Sequence, residues 1–135
     1  MKVVVNRCFD GFGLSAKAIR KYLELKGKKC WFYEEVYEND QIKYHRVVEE
    51  EDFFLSVTED LGEYPTDEEM NCAEYFSEYD IERNDSDLVA VVEELGDEAN
   101  RRFAELEVVE IPDDVEWEIS EYDGVERVEE VHRSW

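Results

Sequence analysis

Cysteine is scarce in this sequence, and its spacing excludes two classes of small protein. Cys8, Cys30 and Cys72 are odd in number and far apart, and the sequence has no C-x-x-C pair. A disulfide framework uses paired cysteines, and a structural zinc site typically uses closely spaced ones. We therefore expect reduced thiols, a cytoplasmic location and no metal site.

Long apolar runs and catalytic signatures are missing as well. No stretch approaches the roughly 18 apolar residues that mark a membrane-spanning helix. The apolar run after Met1 is too short for a signal peptide. The sequence contains no G-x-S-x-G motif and no Cys–His signature of a nucleophilic enzyme. We expect no membrane contact and no cofactor, and a non-enzymatic role is favoured over catalysis.

Basic residues are few, and they are unevenly distributed. The chain has 15 Lys and Arg against 38 Asp and Glu, for a formal net charge of −23 at pH 7. Residues 1–30 carry eight basic and two acidic residues, whereas residues 31–135 carry seven and 36. A basic segment on an acidic body would form a local positive patch in a negative field, which repels nucleic acid and favours basic partners. Solubility alone explains an acidic surface equally well.

Despite this charge, the composition is that of a folded domain. Hydrophobic residues make up 43% of the chain and aromatic residues 13%, which is enough to build a core. We predict one α/β (α+β) domain over residues 1–135. Its architecture would be a single mixed sheet of about five to seven strands with two main helices.

Two helices are marked by N-cap residues and apolar stripes. The first begins after Ser15 and ends at Gly27. The second begins after Asp85 and carries apolar residues at helical spacing from Leu88 to Leu106. Because strands flank the first helix, we predict a right-handed parallel crossover there.

Runs of apolar or alternating residues predict the strands. They are Val3–Val5, Cys30–Tyr33, Gln41–Val48, Asp52–Val57, Glu107–Ile111, Val115–Ser120 and Val125–Trp135. The last of these also fits a helical turn, because its valines recur at 125, 128 and 131. The third and fourth would form a hairpin around the acidic run 49–52, and Asp123-Gly124 predicts a tight turn between the last two. We interpret 59–70 as a solvated loop, whereas 71–81 fits either a short helix or a strand.

The glycine loop, residues 10–15, is the first candidate site. It joins a strand to a helix N-terminus, where unpaired N–H groups and the helix dipole attract anions. Gly11-x-Gly13-x-x-Ala16 also matches the dinucleotide fingerprint, although one such match is a weak signal. A capped helix after a glycine turn is the alternative interpretation.

The second candidate is an acidic cluster near the C-terminus. In an extended strand, Glu126, Glu130 and His132 would share one face. Carboxylates beside a histidine are suited to acid–base chemistry, and Glu130 with His132 is the pair that an enzyme would use. A structural hydrogen-bond network is the alternative.

Together the two candidates predict one site for a small anionic ligand such as a nucleotide. Arg83 and Arg133 would contact phosphate, and the rings of Phe12 and Tyr122 would stack on a base. The predicted ligand-binding residues are Asn6, Phe12, Gly13, Ser15, Arg83, Tyr122, Glu126, His132 and Arg133. Alternatively, the arginines neutralise neighbouring carboxylates.

Two stretches carry a resemblance to other proteins. KVVVNRCFDGFGLS runs from Lys2 to Ser15, and VEIPDDVEWEISEYDGVERVEEVHRSW runs from Val109 to Trp135. With residues 83–95 they cover about two fifths of the chain, and they are similar to a group of small uncharacterised phage and prophage proteins. The sequence departs from that group at Asp10 and Ser86, where glycine and proline are expected. The resemblance implies a phage context and no particular chemistry.

Small acidic phage proteins without catalytic motifs often act by binding, which is an argument by class. We therefore expect a non-enzymatic protein in the host cytoplasm that interferes with a host function such as antiviral defence. Its partner would be a host protein with a basic surface or a nucleotide-like ligand, without direct binding to nucleic acid. The alternatives are a small enzyme that acts on a nucleotide or sugar through Glu130 and His132, and a nucleic-acid mimic. A homo-oligomer is compatible with each of these functions.

Overall fold

The computed structural model describes residues 1–8, 11–47, 54–101 and 104–131. Within them seven strands, three α-helices and two 3₁₀ helices follow one another. They are β1 (Lys2–Asn6), α1 (Ala16–Leu25), β2 (Trp31–Glu38), β3 (Gln41–Val47), β4 (Leu55–Val57), α2 (Asp67–Asn71), the 3₁₀ helix Glu78–Asp80, α3 (Ser86–Leu95), the 3₁₀ helix Gly96–Ala99, β5 (Leu106–Glu110), β6 (Trp117–Tyr122) and β7 (Val125–Glu130). The predicted α+β class and the number of strands are confirmed.

The described strands form three small antiparallel sheets where the sequence predicted one mixed sheet. Their orders are β1-β5, β3-β2-β4 and β6-β7. β1 pairs with β5, and its other edge is occupied because the Val4 N–H donates to the Arg83 carbonyl at 2.8 Å. β2 therefore pairs elsewhere, and the predicted parallel crossover from β1 to β2 is wrong.

The main core lies between α1 and α3, against β1. Ser15 caps α1 as predicted, and the apolar face of this helix is buried. α1 contributes Ile19 and Leu23, while α3 contributes Leu88 and Val92. The 3.6-residue spacing that predicted both helices is thus the spacing of their buried faces.

α3 is shorter than its apolar stripe predicted. The helix ends at Leu95 because Gly96 adopts φ +57° and ψ −128°, a conformation that side-chain-bearing residues avoid. Further on, the Asn100 side chain accepts a hydrogen bond from the Leu106 N–H at 3.0 Å and directs the chain into β5. Leu106 therefore packs against the core from a strand, not from the helix.

The second sheet has β2 at its centre. β2 and β3 form a hairpin whose turn residues, Asn39 and Asp40, both have positive φ, as a type I′ turn requires. β4 pairs with the other edge of β2. The predicted hairpin between β3 and β4 is therefore wrong, and the acidic run 49–52 lies outside the described residues.

A second, smaller core covers one face of this sheet. Met70 of α2 is fully buried with Tyr33 and Val57. α2 begins with a capping box between Thr66 and Glu69, so the predicted loop 59–70 contains a helix start. The ambiguous stretch 71–81 forms an isolated bridge to β4 and a 3₁₀ helix. In the described part of the chain, no helix is long and apolar enough to cross a membrane.

The third sheet is the hairpin of β6 and β7, turned at Asp123-Gly124 as predicted. Pleating places Trp117, Ile119 and Glu126 on one face of this hairpin. Glu126 is buried and contacts β1, so this face is directed at the body of the protein.

Candidate functional site

The glycine loop is held by contacts within the protein. The Ser15 hydroxyl accepts a hydrogen bond from the Ala18 N–H at 3.1 Å and donates one to the Glu98 carbonyl at 2.6 Å. Gly13 packs beneath Arg101, and a Cβ at Gly13 would lie 3.1 Å from the Arg101 Cβ. Ser15 therefore caps the helix, and Gly13 allows close packing against Arg101.

A carboxylate of the protein itself occupies the anion position of this loop. Glu78 is buried, and its Oε2 accepts a hydrogen bond from the Leu14 N–H at 3.2 Å. Arg101 Nη1 lies 2.9 Å from Glu78 Oε1. Burial raises the pKa of Glu78 above its ordinary value, and the Arg101 charge and the Leu14 N–H offset only part of that rise.

The C-terminal hairpin brings a second buried carboxylate to an arginine. Glu126 receives two hydrogen bonds from Arg83, at 2.5 Å from Nη1 and 2.9 Å from Nη2. Its Oε1 also accepts the backbone N–H of Asn6 at 2.8 Å. The Arg83 guanidinium lies 3.6 Å from the centre of the Phe12 ring. Arg83 is thus held by an aromatic ring and a bidentate carboxylate, the strongest partner geometry for a guanidinium.

Asn6 joins this network to the neighbouring strands. Its side-chain amide is fully buried and donates to the carbonyls of Cys8 at 2.6 Å and Gly124 at 2.9 Å. Its side-chain oxygen accepts from the N–H groups of Cys8 and Glu105. Both donors and the acceptor of Asn6 are therefore satisfied internally.

The structure thus brings Asn6, Phe12, Arg83 and Glu126 together, but it separates Tyr122 from them. Tyr122 is 81% exposed and lies on the face of the β6–β7 hairpin opposite Glu126. Phe12 is buried beneath Arg83, so the two rings do not form the predicted pair around a base.

Two residues of the predicted site, His132 and Arg133, lie outside the described residues. Of the proposed acid–base pair, the structure therefore describes Glu130 but not His132. Glu130 is exposed at the end of β7, opposite Trp117.

A cleft of about 580 Å³ opens beside the Arg83–Glu126 pair. The segment that precedes α3 forms one wall and β6 forms the other. The lining residues are Tyr79, Ile81, Glu82, Arg83, Asn84, Trp117, Ile119 and Glu126. Arg83 is the cation of this lining, and Glu126 neutralises it. The cleft therefore has no net positive charge with which to hold an anion.

Most basic residues of the first 30 positions are also paired. On α1 and directly after it, three lysines contact acids of α3 and of the 3₁₀ helix that follows. The pairs are Lys17 with Glu98, Lys21 with Glu94, and Lys26 with both Asp85 and Asp87. The positive patch predicted from the sequence is therefore largely neutralised by the facing helix.

Sequence reasoning missed Glu78 and Arg101 as a pair. Glu78 falls in the stretch whose secondary structure was ambiguous, and no spacing connects it to Arg101. A metal centre has no support in the described segments, where no group of three or more His, Cys, Asp or Glu side chains could hold an ion. The chain matches no protein-family model, no curated protein and no solved structure.

Proposed function

We propose that this chain is a non-enzymatic binding protein whose partner is a protein with a basic surface, and that it interferes with a host function through that partner. The phage context is an expectation from the resemblance of the two chain ends. The single observation that carries the choice of partner is the pairing of Arg83 with Glu126. The guanidinium that a phosphate would need already has a bidentate carboxylate.

The glycine loop supports the same conclusion. Glu78 supplies a negative charge to the Leu14 N–H and to Arg101. An incoming phosphate would have to displace this carboxylate or bind next to it, and like charges in a partly dry site repel each other strongly. A nucleotide is therefore a poor fit to either of the predicted anion positions.

Uncompensated negative charge dominates the surface that leads into α2. Residues 59–69 contain six carboxylates and no Lys or Arg, and all six residues are exposed. Asp60 alone among them pairs with a described cation, Arg46. Such a field accelerates association with basic proteins and repels nucleic acid and anionic membranes.

A thermal-shift experiment tests the choice between protein and nucleotide. The purified chain is heated with a panel of nucleotides and cyclic dinucleotides, and the products are analysed. We expect an unchanged melting temperature and intact nucleotides, since a ligand of the folded state would raise the melting temperature with its concentration. A concentration-dependent shift would contradict the proposal, and hydrolysis would favour the enzyme.

A second experiment tests the basic partner. Proteins retained from host lysate by the immobilised chain are identified, and the strongest is purified for affinity measurements at increasing salt. We expect a basic protein whose affinity falls steeply with salt. Changing Glu59, Glu63 and Glu68 to lysine should weaken binding, whereas the same three changes to aspartate should not. Salt-insensitive binding, or no retained protein, would overturn the proposal.

A further inference from the structure

The outer half of the β2–β3 hairpin presents a sheet face that the protein covers only at Tyr44, which packs against the smaller core. Alternation along β2 places Trp31, Tyr33, Glu35 and Tyr37 on one face. The first two pack in the smaller core with Met70 of α2. Glu35 and Tyr37 lie beyond the end of that core, and both are exposed.

Aromatic and aliphatic side chains cluster on this outer half. In the β2–β3 register, Tyr37 lies opposite Ile42 and Glu35 lies opposite Tyr44. Tyr37 is 75% exposed, Ile42 is 40% exposed, and the nearby Tyr75 is 46% exposed. Tyr44 is half-buried, because it packs against the edge of the smaller core. We call Tyr37, Ile42, Tyr44 and Tyr75 the tyrosine face. Contiguous exposed apolar groups with a polar rim mark interaction surfaces, and tyrosine is enriched among the residues that dominate binding energy.

The charge around the tyrosine face is negative. Burial raises the pKa of the Tyr44 hydroxyl, and the nearby carboxylates of Glu35 and Asp67 raise it further. Arg46 is the cation that shares this face by register, and it is paired with Asp60. A partner that contributes Lys or Arg would gain ion pairs with Glu35 and Asp67 and cation–π contacts with the tyrosine rings.

We propose that the tyrosine face is the docking surface for a basic segment of the partner protein. The inference rests on the proposed function and names the place where the partner binds. A second copy of this chain does not fit the surface, because it would bring two sets of carboxylates together. Single-stranded nucleic acid would stack on tyrosines, but its phosphates would meet Glu35 and Asp67.

Nuclear magnetic resonance of the labelled chain locates the surface with a defined probe, a short peptide of alternating Arg and Val residues. We expect amide shifts to concentrate at residues 35–44 and 67–75, with little change in β6 and β7. A peptide of alternating Glu and Val should produce no shifts. Shifts spread evenly over the acidic surface, or the same shifts with single-stranded DNA, would overturn the docking surface.

Matched variants then test the surface with the purified basic partner. Tyr37→Ala and Glu35→Lys should each weaken its affinity about tenfold, a typical loss for a central interface residue. Tyr122→Ala and Glu118→Lys are the controls, because both residues are exposed on the other hairpin. These controls should change the affinity less than about twofold. Circular dichroism should show that all four variants remain folded.

The outcomes separate the two proposals. If the controls weaken binding as much as Tyr37→Ala and Glu35→Lys do, the tyrosine face is the wrong surface while the basic partner stands. If no basic protein binds at any salt concentration, the proposed function fails and the docking surface fails with it. A concentration-dependent dimer that Tyr37→Ala abolishes would show that a second copy is the occupant and would overturn the inference.

Discussion

Arg83 and Glu126 are 43 residues apart in the chain and meet in a bidentate pair. Both side chains are largely buried, and the pair joins the segment before α3 to β7. Glu126 also accepts the N–H of Asn6, so the same carboxylate fixes the end of β1. The feature that resembled a ligand site in the sequence is therefore the contact that attaches the β6–β7 hairpin to the body of the protein.

Removing one member of this pair should destabilise the fold. Glu126→Leu leaves a buried guanidinium without its carboxylate, and we expect the free energy of unfolding to fall by about 3 kcal/mol. Arg83→Met with Glu126→Leu should cost less than the sum of the two single changes, since no unpaired charge remains. Urea unfolding measures the free energy of unfolding of all three variants.

The control is a pair on the same strand that water surrounds. Arg127 pairs with Glu129 at 2.6 Å, and its side chain is exposed. Arg127→Ala should leave the unfolding midpoint unchanged within error, because exposed ion pairs contribute little. Strict additivity of the Arg83 and Glu126 changes would show that the two residues do not act as a pair.

The second buried carboxylate, Glu78, should make the stability of the fold depend on pH. The pKa of Glu78 is raised from 4.5 by burial, so the folded state binds more protons than the unfolded state as the pH rises above 4.5. Relative to Glu78→Gln, the stability of the wild type should therefore fall as the pH rises through this window, and level off above the raised pKa. Urea unfolding at a series of pH values measures the difference. A relative stability that increases with pH would mean that Arg101 outweighs burial.

Asp85 should show the opposite pH dependence. Burial alone would raise its pKa, but hydrogen bonds from Lys26 and from the Asp87 and Leu88 N–H groups lower it below 3.8. Its contribution to stability is therefore present above the ordinary pKa and lost as the pH falls through the lowered one. Asp85→Ala should cost about 1 kcal/mol at neutral pH through loss of the N-cap.

Asp85→Asn separates the cap from the charge. The amide oxygen still accepts the backbone N–H groups, so most of the capping energy should remain, while the pH dependence disappears. Acid unfolding followed by circular dichroism measures both variants. Equal destabilisation by asparagine and alanine would show that the negative charge beside Lys26, rather than the cap, is what matters at this position.

The local elements were predictable because their signals are local. Ser15 and Asp85 cap the helices that follow them, and Asp123-Gly124 turns the last hairpin. Each of these signals depends on backbone geometry within four residues. The apolar stripe predicted too long a helix, because Gly96 ends α3 at Leu95 and Leu106 belongs to β5.

The pairing of strands was not predictable in the same way. β1 avoids β2 because the carbonyl of Arg83, far along the chain, occupies the edge that a parallel neighbour would need. The prediction of the ligand site was wrong for a related reason. Which carboxylate neutralises Arg83 or Arg101 is decided by the tertiary fold, and neither Glu78 nor Glu126 differs in sequence from the many exposed glutamates.

Changing either glycine of the first loop to alanine should lower the stability of the fold, but for different reasons. Gly13→Ala places a Cβ within 3.1 Å of the Arg101 Cβ and 3.2 Å of its Cδ, and this overpacking should cost about 1–2 kcal/mol. Gly11→Ala meets no atom within 4 Å, but its φ of +93° strains any side-chain-bearing residue by about 1 kcal/mol or more.

A double-mutant cycle with Arg101→Ala distinguishes these causes. Arg101→Ala removes the Cγ and Cδ contacts and leaves only the Cβ contact, which a small shift of the loop relieves. The cost of Gly13→Ala should therefore shrink in the Arg101→Ala background, while the cost of Gly11→Ala stays the same because backbone strain does not depend on the neighbour. Urea unfolding of the wild type and the five variants provides the two coupling energies. Equal coupling at both glycines would mean that Arg101 restrains the whole loop through Glu78 and Leu14, and that close packing at Gly13 is not the reason for glycine there.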